Sequence, residues 1–127
     1  MISFEGFAAE ADLPIYLQIV RFIKRGAAAG AIADGDDLPS RRTLSALLSV
    51  NPNTVQKAYH LLEEEGLVRS RPGAGSCMAL CPEALERLRR ELLESEGRAA
   101  ILAMKRAGMT QEQAITLIHS LWEEVSL

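Results

Sequence analysis

The sequence is poor in cysteine, which excludes several classes of protein. Its 127 residues contain two cysteines, Cys77 and Cys81, and no further histidine or cysteine neighbours them at zinc-ligand spacing. We therefore expect no metal site and no cofactor. A disulfide between these two positions of one short predicted strand is disfavoured by geometry. A reduced, cytoplasmic protein is the simplest interpretation.

Long apolar runs and catalytic groupings are missing as well. No run approaches the ~20 apolar residues that cross a bilayer, so we expect no membrane partner. Residues Met1 to Glu10 contain neither a basic nor an apolar stretch, and we expect no secretory signal there. His60 and His119 have no partners for a triad or a metal site. Glu63, Glu64 and Glu65 indicate a solvated helix end. An enzyme is therefore the weakest hypothesis.

An excess of positive charge is also missing, because the net charge is −3. Attraction for phosphate, however, depends on where the basic residues lie and not on the total. Between Leu38 and Leu80 there are five basic residues and three acidic ones, and the acids are contiguous. The charge is sorted along the chain, so an acidic total does not exclude a nucleic-acid partner.

The first half of the chain shows three helical patterns. The first runs from Pro14, near position N1, to about Ala29; Asp12 lies close enough to cap it and Gly30 stops it. Capping residues open the second helix at Ser40 and the third at Asn51-Pro52, and Gly66 ends the third. The predicted buried stripes are Ile15, Ile19, Phe22 and Ile23; then Leu44, Leu47 and Leu48; then Val55, Ala58, Tyr59 and Leu62.

A small hairpin follows directly. Leu67 to Arg71 is typical of a strand, Pro72 to Gly75 of a turn, and Ser76 to Leu80 of a return strand. Two short helices joined by Ser49-Val50 are typical of a helix-turn-helix, and a hairpin after the second of them is a wing. The sequence thus predicts a mainly α fold with a small β-wing, the winged helix-turn-helix, over residues 1–80.

Residues 81–127 are predicted to form two further helices that pair with a second copy. Gly108 separates them, and Thr110 with Gln113 predicts a capping box for the last one. Each helix has more apolar surface than so short a segment buries alone. The predicted dimerisation residues are Leu85, Leu88, Leu92, Leu117, Ile118, Leu121, Trp122 and Val125, with Ala99, Leu102 and Ala114 on the same stripes.

The third helix has the side chains that groove recognition requires. If its apolar stripe faces inward, Asn53, Thr54, Gln56, Lys57 and His60 face outward. Amides can bond adenine in two places, while threonine and lysine reach bases or phosphates. A solvated helix face would be the simpler interpretation of these residues alone. The capped helix before them and the hairpin after them favour DNA.

Basic residues flank this helix on both sides in sequence. Arg41 and Arg42 oppose the dipole in the first turn of the second helix, and either a phosphate or a nearby carboxylate would relieve that conflict. We expect at least one of the two to contact phosphate, while the other can simply be solvated. Arg69 and Arg71 alternate along the first wing strand and are predicted to project together. Gly73 and Gly75 at the tip allow the backbone to approach DNA closely.

Four segments follow one another in an order and spacing specific to one family: Leu38-Pro39-Ser40-Arg41-Arg42-Thr43-Leu44, Val50-Asn51-Pro52-Asn53-Thr54-Val55, Leu62-Glu63-Glu64-Glu65-Gly66-Leu67-Val68 and Gly73-Ala74-Gly75. Through these segments, residues from Pro14 to about Leu80 resemble the GntR family of bacterial regulators. With its short helical tail the chain is similar to the YtrA-type branch.

The resemblance implies that Arg42, Asn51, Asn53, Thr54 and the wing near Gly73 contact double-stranded DNA. It also implies a homodimer built by the two C-terminal helices, and a link to transporter genes. Family members usually have an acid in place of Arg41, an arginine in place of Gln56, and Thr-Phe in place of Ser76-Cys77, and these departures affect the target sequence.

Two functional hypotheses follow. The first is a dimeric transcriptional regulator, most simply a repressor, that binds a pseudo-palindromic operator. A small-molecule effector, if one exists, would bind between the C-terminal helices or at the dimer interface. The second is a winged-helix module whose third helix contacts protein, which the net charge of −3 supports and the arginines oppose.

Overall fold

A computed structural model describes residues 1–10 and 12–126. The fold is mainly helical with one antiparallel hairpin, as the sequence predicts. The chain divides into two compact units, Met1–Leu92 and Leu93–Leu127. The helices are α1 (Ile15–Ala28), α2 (Arg41–Leu48), α3 (Pro52–Glu64), α4 (Pro82–Arg106) and α5 (Gln111–Leu121), and the strands are β1 (Val68–Arg71) and β2 (Gly75–Met78).

The caps predicted for α2, α3 and α5 are confirmed. The Ser40 hydroxyl accepts a hydrogen bond from the Thr43 N–H at 3.0 Å, and the Asn51 carbonyl oxygen Oδ1 accepts one from the Asn53 N–H at 2.8 Å. Thr110 and Gln113 form the reciprocal capping box. Each bond satisfies an N–H that the first helical turn would leave unpaired.

The start of α1 differs from the prediction. Asp12 does not cap the helix: Pro14 occupies the N-cap position without a side-chain bond, and α1 begins at Ile15. The buried side chain of Gln18 organises this region instead. Its Oε1 accepts from the Glu10 N–H at 2.7 Å and its Nε2 donates to the Glu10 carbonyl at 2.7 Å and to the Leu13 carbonyl. A glutamine inside the helix thus ties down the segment before it.

The core of the first unit lies where α1 and α2 pack against α3. The four predicted residues of the α3 stripe are all buried: Val55, Ala58, Tyr59 and Leu62. The Tyr59 hydroxyl donates to the Pro39 carbonyl at 2.7 Å, and burial raises the pKa of this phenol far above its usual range. Tyr59 therefore remains a donor and fixes the segment before α2 to the middle of α3.

The predicted stripe of α2 is wrong at one position. Leu44 is fully buried and Leu48 is partly buried, but the side chain of Leu47 is 66% exposed. α2 has only eight residues, so the apolar face that it turns toward α3 is narrow and Leu47 lies outside it.

The wing is wider than a hairpin. β1 and β2 pair in the register Val68↔Met78 to Arg71↔Gly75. Residues 35–38 add a third edge, because the Leu38 N–H donates to the Ser76 carbonyl and the Met78 N–H donates to the Asp36 carbonyl. An isolated bridge joins Asp37 to Cys77. The segment that leads into α2 is therefore hydrogen-bonded to the wing.

The first half of α4 belongs to the first unit. Ala84 and Leu88 are buried in its core, and the Arg89 Nε donates to the Ala28 carbonyl at 2.9 Å. Leu88, 5% exposed, is therefore covered by its own chain and is not available to a second copy. The domain boundary between residues 80 and 81 remains a prediction, while the compact unit extends to Leu92.

The second unit, described to residue 126, consists of the end of α4, the turn at Gly108 and α5. Gly108 has the left-handed φ of 81° expected after a helix. None of the described residues of α5 is buried. The apolar side chains of this unit are therefore largely exposed to solvent in the single chain.

Candidate nucleic-acid interface

The outer face of α3 is open to solvent at its first two turns. Asn53, Gln56, Lys57 and His60 are exposed and Thr54 is half-buried. Asn51 is exposed as well, although its side-chain oxygen serves the helix cap. The inward direction of the apolar stripe thus leaves the predicted polar set available, next to the positive end of the α3 dipole.

Two members of this set already have partners within the chain. The Lys57 ammonium lies 4.2 Å from the centroid of the Tyr16 ring, a cation–π contact that directs it toward α1. The His60 Nε2 lies 2.9 Å from a Glu64 carboxylate oxygen, and both side chains are exposed. These contacts orient Lys57 and His60 without burying them.

The three glutamates at the C-terminal end of α3, of which Glu65 is the C-cap, each have a different partner. Glu63 accepts from the Ser70 hydroxyl at 3.4 Å, Glu64 pairs with His60, and Glu65 pairs with Lys24 at 2.8 Å. Their negative charge opposes the dipole at the C-terminus of α3, and these local partners offset that cost. The Lys24–Glu65 pair also joins α1 to α3.

Arg41 and Arg42 lie in the first turn of α2, and both are exposed. That turn contains no acidic residue, and the described residues give neither arginine an ion-pair partner. The two cations therefore oppose the helix dipole with no carboxylate to relieve them. An anion supplied from outside would satisfy them.

The wing tip is exposed from Pro72 to Gly75. Gly73 and Gly75 have φ angles of 72° and 76°, and a Cβ at either position would meet open space. Backbone conformation therefore requires glycine at these positions, and crowding within the chain does not. Arg69 is exposed on β1 as the sequence predicts.

Arg71 lies two positions after Arg69 on β1, but its guanidinium is bound within the wing, which the sequence does not predict. Its Nη2 lies 3.0 Å from an Asp37 carboxylate oxygen and donates to the Gly35 carbonyl at 3.3 Å, and its Nε donates to the Cys77 sulfur at 3.2 Å. The hydrogen bond to Cys77, followed by electrostatic interaction with Cys77 and Asp37, raises the pKa of Arg71. Asp37, whose carboxylate precedes Leu38-Pro39, was not among the predicted residues.

These elements come together around α3. α3 packs against α2 on one side and β1 on another, so the basic first turn of α2 and the wing both flank it. The arrangement defines a class of protein: a winged helix-turn-helix with a polar recognition helix.

The described residues contain no cluster of three potential metal ligands. Among the helices they form, none has both the length and the apolar character of a membrane span.

The predicted dimerisation residues separate into two groups. Leu88 is core, and Leu85 and Leu92 are half-buried in the first unit. Leu117, Ile118, Leu121, Trp122 and Val125 are exposed. Leu93, Ile101 and Ile115 are exposed as well. They were not predicted because they lie off the apolar stripes. A search for apolar residues on every face of α4 and α5 would have found them.

A cavity of about 190 Å³ lies beside α1 in the first unit. Its lining includes Phe7, Leu13, Arg21 and Phe22, and the amide of Gln18 in its wall is already bonded to backbone. The volume is below the ~300 Å³ at which ligand pockets usually begin. This cavity gives no support to an effector site.

Comparison with known proteins gives the family. The model of the bacterial regulatory proteins of the gntR family matches residues 15–77. The chain is 32% identical to the HTH-type transcriptional regulator YhcF of Bacillus subtilis, over 90% of this chain and 94% of that protein. It is 44% identical to the HTH-type transcriptional repressor YtrA of the same organism, over 50% of this chain and 48% of YtrA.

Solved structures agree with the sequence comparison. A GntR family transcriptional regulator from Listeria monocytogenes superposes with a TM-score of 0.78 at 30% identity, over 93% of this chain and all of that one. The DNA-binding domain of AraR in complex with an operator superposes with a TM-score of 0.50 at 29% identity, over 57% of this chain and 87% of that domain.

The chain belongs to the GntR family of bacterial regulatory proteins. It is a DNA-binding transcriptional regulator and not an enzyme, and its fold is the winged helix of that family followed by C-terminal helices.

Proposed function

We propose that the protein is a cytoplasmic, homodimeric repressor that binds a pseudo-palindromic DNA operator. The observation that supports this most is the solvent-exposed polar face of α3 beside two arginines without a carboxylate partner in the described structure. Asn53, Thr54 and Gln56 would contact base edges, and Arg42, Lys57, Arg69 and the wing tip would contact the DNA backbone. Similarity to the repressor YtrA favours repression over activation.

The homodimer is supported by the apolar surface of the second unit. Exposed in the single chain are Leu93, Ile101, Leu102, Ile115, Leu117, Ile118, Leu121, Trp122 and Val125. Apolar surface of this extent marks an interaction site in a small protein. A second copy is the partner we propose, because a two-fold dimer presents two recognition helices to two half-sites.

DNA binding is tested with a labelled duplex from the region upstream of the protein's own gene. Affinity should fall by about 10³ or more between 50 and 200 mM salt if six or more phosphates are neutralised. Arg42→Ala should weaken binding to every sequence, and Arg90→Ala on the exposed side of α4 serves as the charge-matched control. Asn53→Ala should change sequence preference instead. Binding that is negligible at low salt, or independent of salt, would contradict the proposal.

Self-association is tested by sedimentation of the full chain. The wild type should sediment as a dimer at micromolar concentration, and a double variant Ile118→Ser/Leu121→Ser should be shifted toward monomer. The matched control is Thr116→Ser, a change on an exposed α5 position that removes little apolar surface. A wild-type chain that remains monomeric at every concentration would exclude the dimer.

The proposal extends to a target operon and to an effector. Control of a transporter operon follows only from the resemblance to the YtrA-type branch, and the genes beside this one test it. An effector of unknown identity would bind between the C-terminal helices or at the dimer interface. Thermal shift in the presence of the transported solutes tests whether the protein binds any of them.

A further inference from the structure

The side chain of Arg71 crosses the small sheet of the wing. It belongs to β1, passes over Cys77 of β2, and ends on Asp37 at the third edge of the sheet. One side chain therefore joins three neighbouring segments of the wing. Arg71 is also the last residue of β1, immediately before the exposed turn at Pro72 and Gly73.

Asp37, the partner, links this contact to α2. The backbone on either side of it is bonded to β2, with the Met78 N–H donating to the Asp36 carbonyl and the Leu38 N–H donating to the Ser76 carbonyl. Two residues beyond Leu38, Ser40 caps the helix that begins with Arg41. The pair thus connects the base of the wing tip to the entrance of the helix that contains Arg41 and Arg42.

We propose that Arg71 is a positioning residue that holds the wing tip at the angle required for DNA binding, and that it does not itself bind phosphate. This inference rests on the proposed DNA-binding function. Arg69, on the same strand, is exposed and is the wing arginine that would contact phosphate. Two arginines two positions apart thus have different roles.

Charge and exposure distinguish a positioning role from a phosphate contact and from an ion pair that stabilises the fold. The pair Arg71–Asp37 is neutral overall, so it attracts phosphate much less than an unpaired arginine does. Their side chains are 40% and 56% exposed, so the pair contributes little to the stability of the fold. Its effect should therefore appear in DNA affinity and wing dynamics and not in the unfolding transition.

The decisive variant is Asp37→Asn in the full chain, with binding measured on the upstream duplex. If the pair positions the wing, affinity falls by about three- to tenfold, because a smaller fraction of molecules has the wing in place. The fall would occur although a negative charge near DNA has been removed. If Asp37 instead competes with phosphate for Arg71, affinity rises. A rise, or no change, would overturn the proposal.

Arg71→Ala, compared with Arg69→Ala, tests the absence of a phosphate contact. Arg71→Ala should lower affinity at every salt concentration and leave the slope of log affinity against log salt unchanged. Arg69→Ala should reduce that slope by about 1 for each copy that contacts DNA. An equal loss of slope in both variants would show that Arg71 binds phosphate. The charge exchange Asp37→Arg/Arg71→Asp should recover part of the lost affinity.

A measurement without DNA separates this inference from the proposed function. Amide hydrogen exchange at residues 73–76 should be several-fold faster in Asp37→Asn and in Arg71→Ala than in the wild type, while exchange in α3 stays the same. Unchanged exchange at the tip would overturn the positioning role even if the wild type binds DNA. A wild type that fails to bind DNA, with faster exchange in the variants, would reject only the repressor.

Discussion

The two units of this chain use their apolar residues in opposite ways. In Met1–Leu92, α1, α2, α3 and the start of α4 surround a continuous core, and every buried apolar residue of the described structure lies in this unit. In the unit that begins at Leu93, leucines, isoleucines and Trp122, which is 72% exposed, face solvent. Composition alone would not distinguish the two. The two units differ in the number of helices and strands that can cover one another's apolar side chains.

This difference has a consequence for stability. An isolated helix of eleven residues such as α5 is marginal in water, because the cost of helix nucleation is repaid only by packing or length. A good capping box, as at Thr110 and Gln113, offsets part of that cost and no more. The first unit is stabilised by its own core. The proposed second copy would supply the packing surface that α5 lacks in the single chain.

The largest expected effect is a core truncation in the first unit. Leu62 is fully buried on α3, and Leu62→Ala should lower the free energy of unfolding by about 2–5 kcal/mol. Leu121→Ala in α5, at a position 40% exposed, removes the same atoms and should change unfolding little when the protein is dilute. Chemical denaturation at two protein concentrations measures both.

The concentration dependence sharpens this comparison. The loss in Leu62→Ala should be the same at both concentrations, and the loss in Leu121→Ala should grow with concentration as the dimer forms in the wild type. Equal losses in the two variants when dilute would mean that α5 is packed within one chain. The comparison between the units would then no longer hold.

Sequence reasoning succeeded where structure depends on neighbours within one or two turns. The caps at Ser40 and Asn51, the capping box of α5 and the left-handed Gly108 each involve residues at most a few positions apart. The α3 stripe and its polar outer face followed from the helical period. These local features are sufficient to outline the winged helix-turn-helix and to locate its recognition helix.

Prediction from sequence failed where the partner of a side chain lies far along the chain. Leu88 matches a dimer stripe and is nonetheless covered by the first unit. Arg71 has the spacing of a second DNA-contacting arginine, but it is bound to Asp37 and Gly35, which reach it through the fold of the third wing edge. Strand alternation gives the face of a residue and says nothing of which group on that face it meets.

A second, intermediate effect comes from the two glycines inside long helices. A Cβ on Gly26 of α1 would lie 2.5 Å from Cδ1 and 2.9 Å from Cγ1 of Ile32, which is itself buried. Gly26→Ala should therefore destabilise the first unit by about 1–2 kcal/mol, since overpacking outweighs the better helix propensity. Thermal unfolding measures the change.

Gly97 of α4 is the matched position in the second unit, because a Cβ there meets nothing within 4 Å. Gly97→Ala should stabilise the helix by about 0.8–1 kcal/mol, detected as slower amide exchange around residue 97. Sedimentation of the same variant adds a further test. If Gly97→Ala weakens self-association, a second copy approaches the helix closely at this glycine, and the position is not open in the dimer.

The smallest expected effect compares the helix–helix turns of the two units. In the first unit the turn between α2 and α3 places Ser49 at φ 55°, and in the second the turn after α4 places Gly108 at φ 81°. Ser49→Gly should raise stability by about 0.5 kcal/mol, because relief of the left-handed backbone slightly exceeds the added chain entropy. Gly108→Ala should have the opposite sign, and its cost should appear as frayed amides in α5. DNA affinity of the same variant adds a further test. If Ser49→Gly raises the melting temperature but lowers DNA affinity, Ser49 helps to set the angle between α2 and α3, at a small cost in stability.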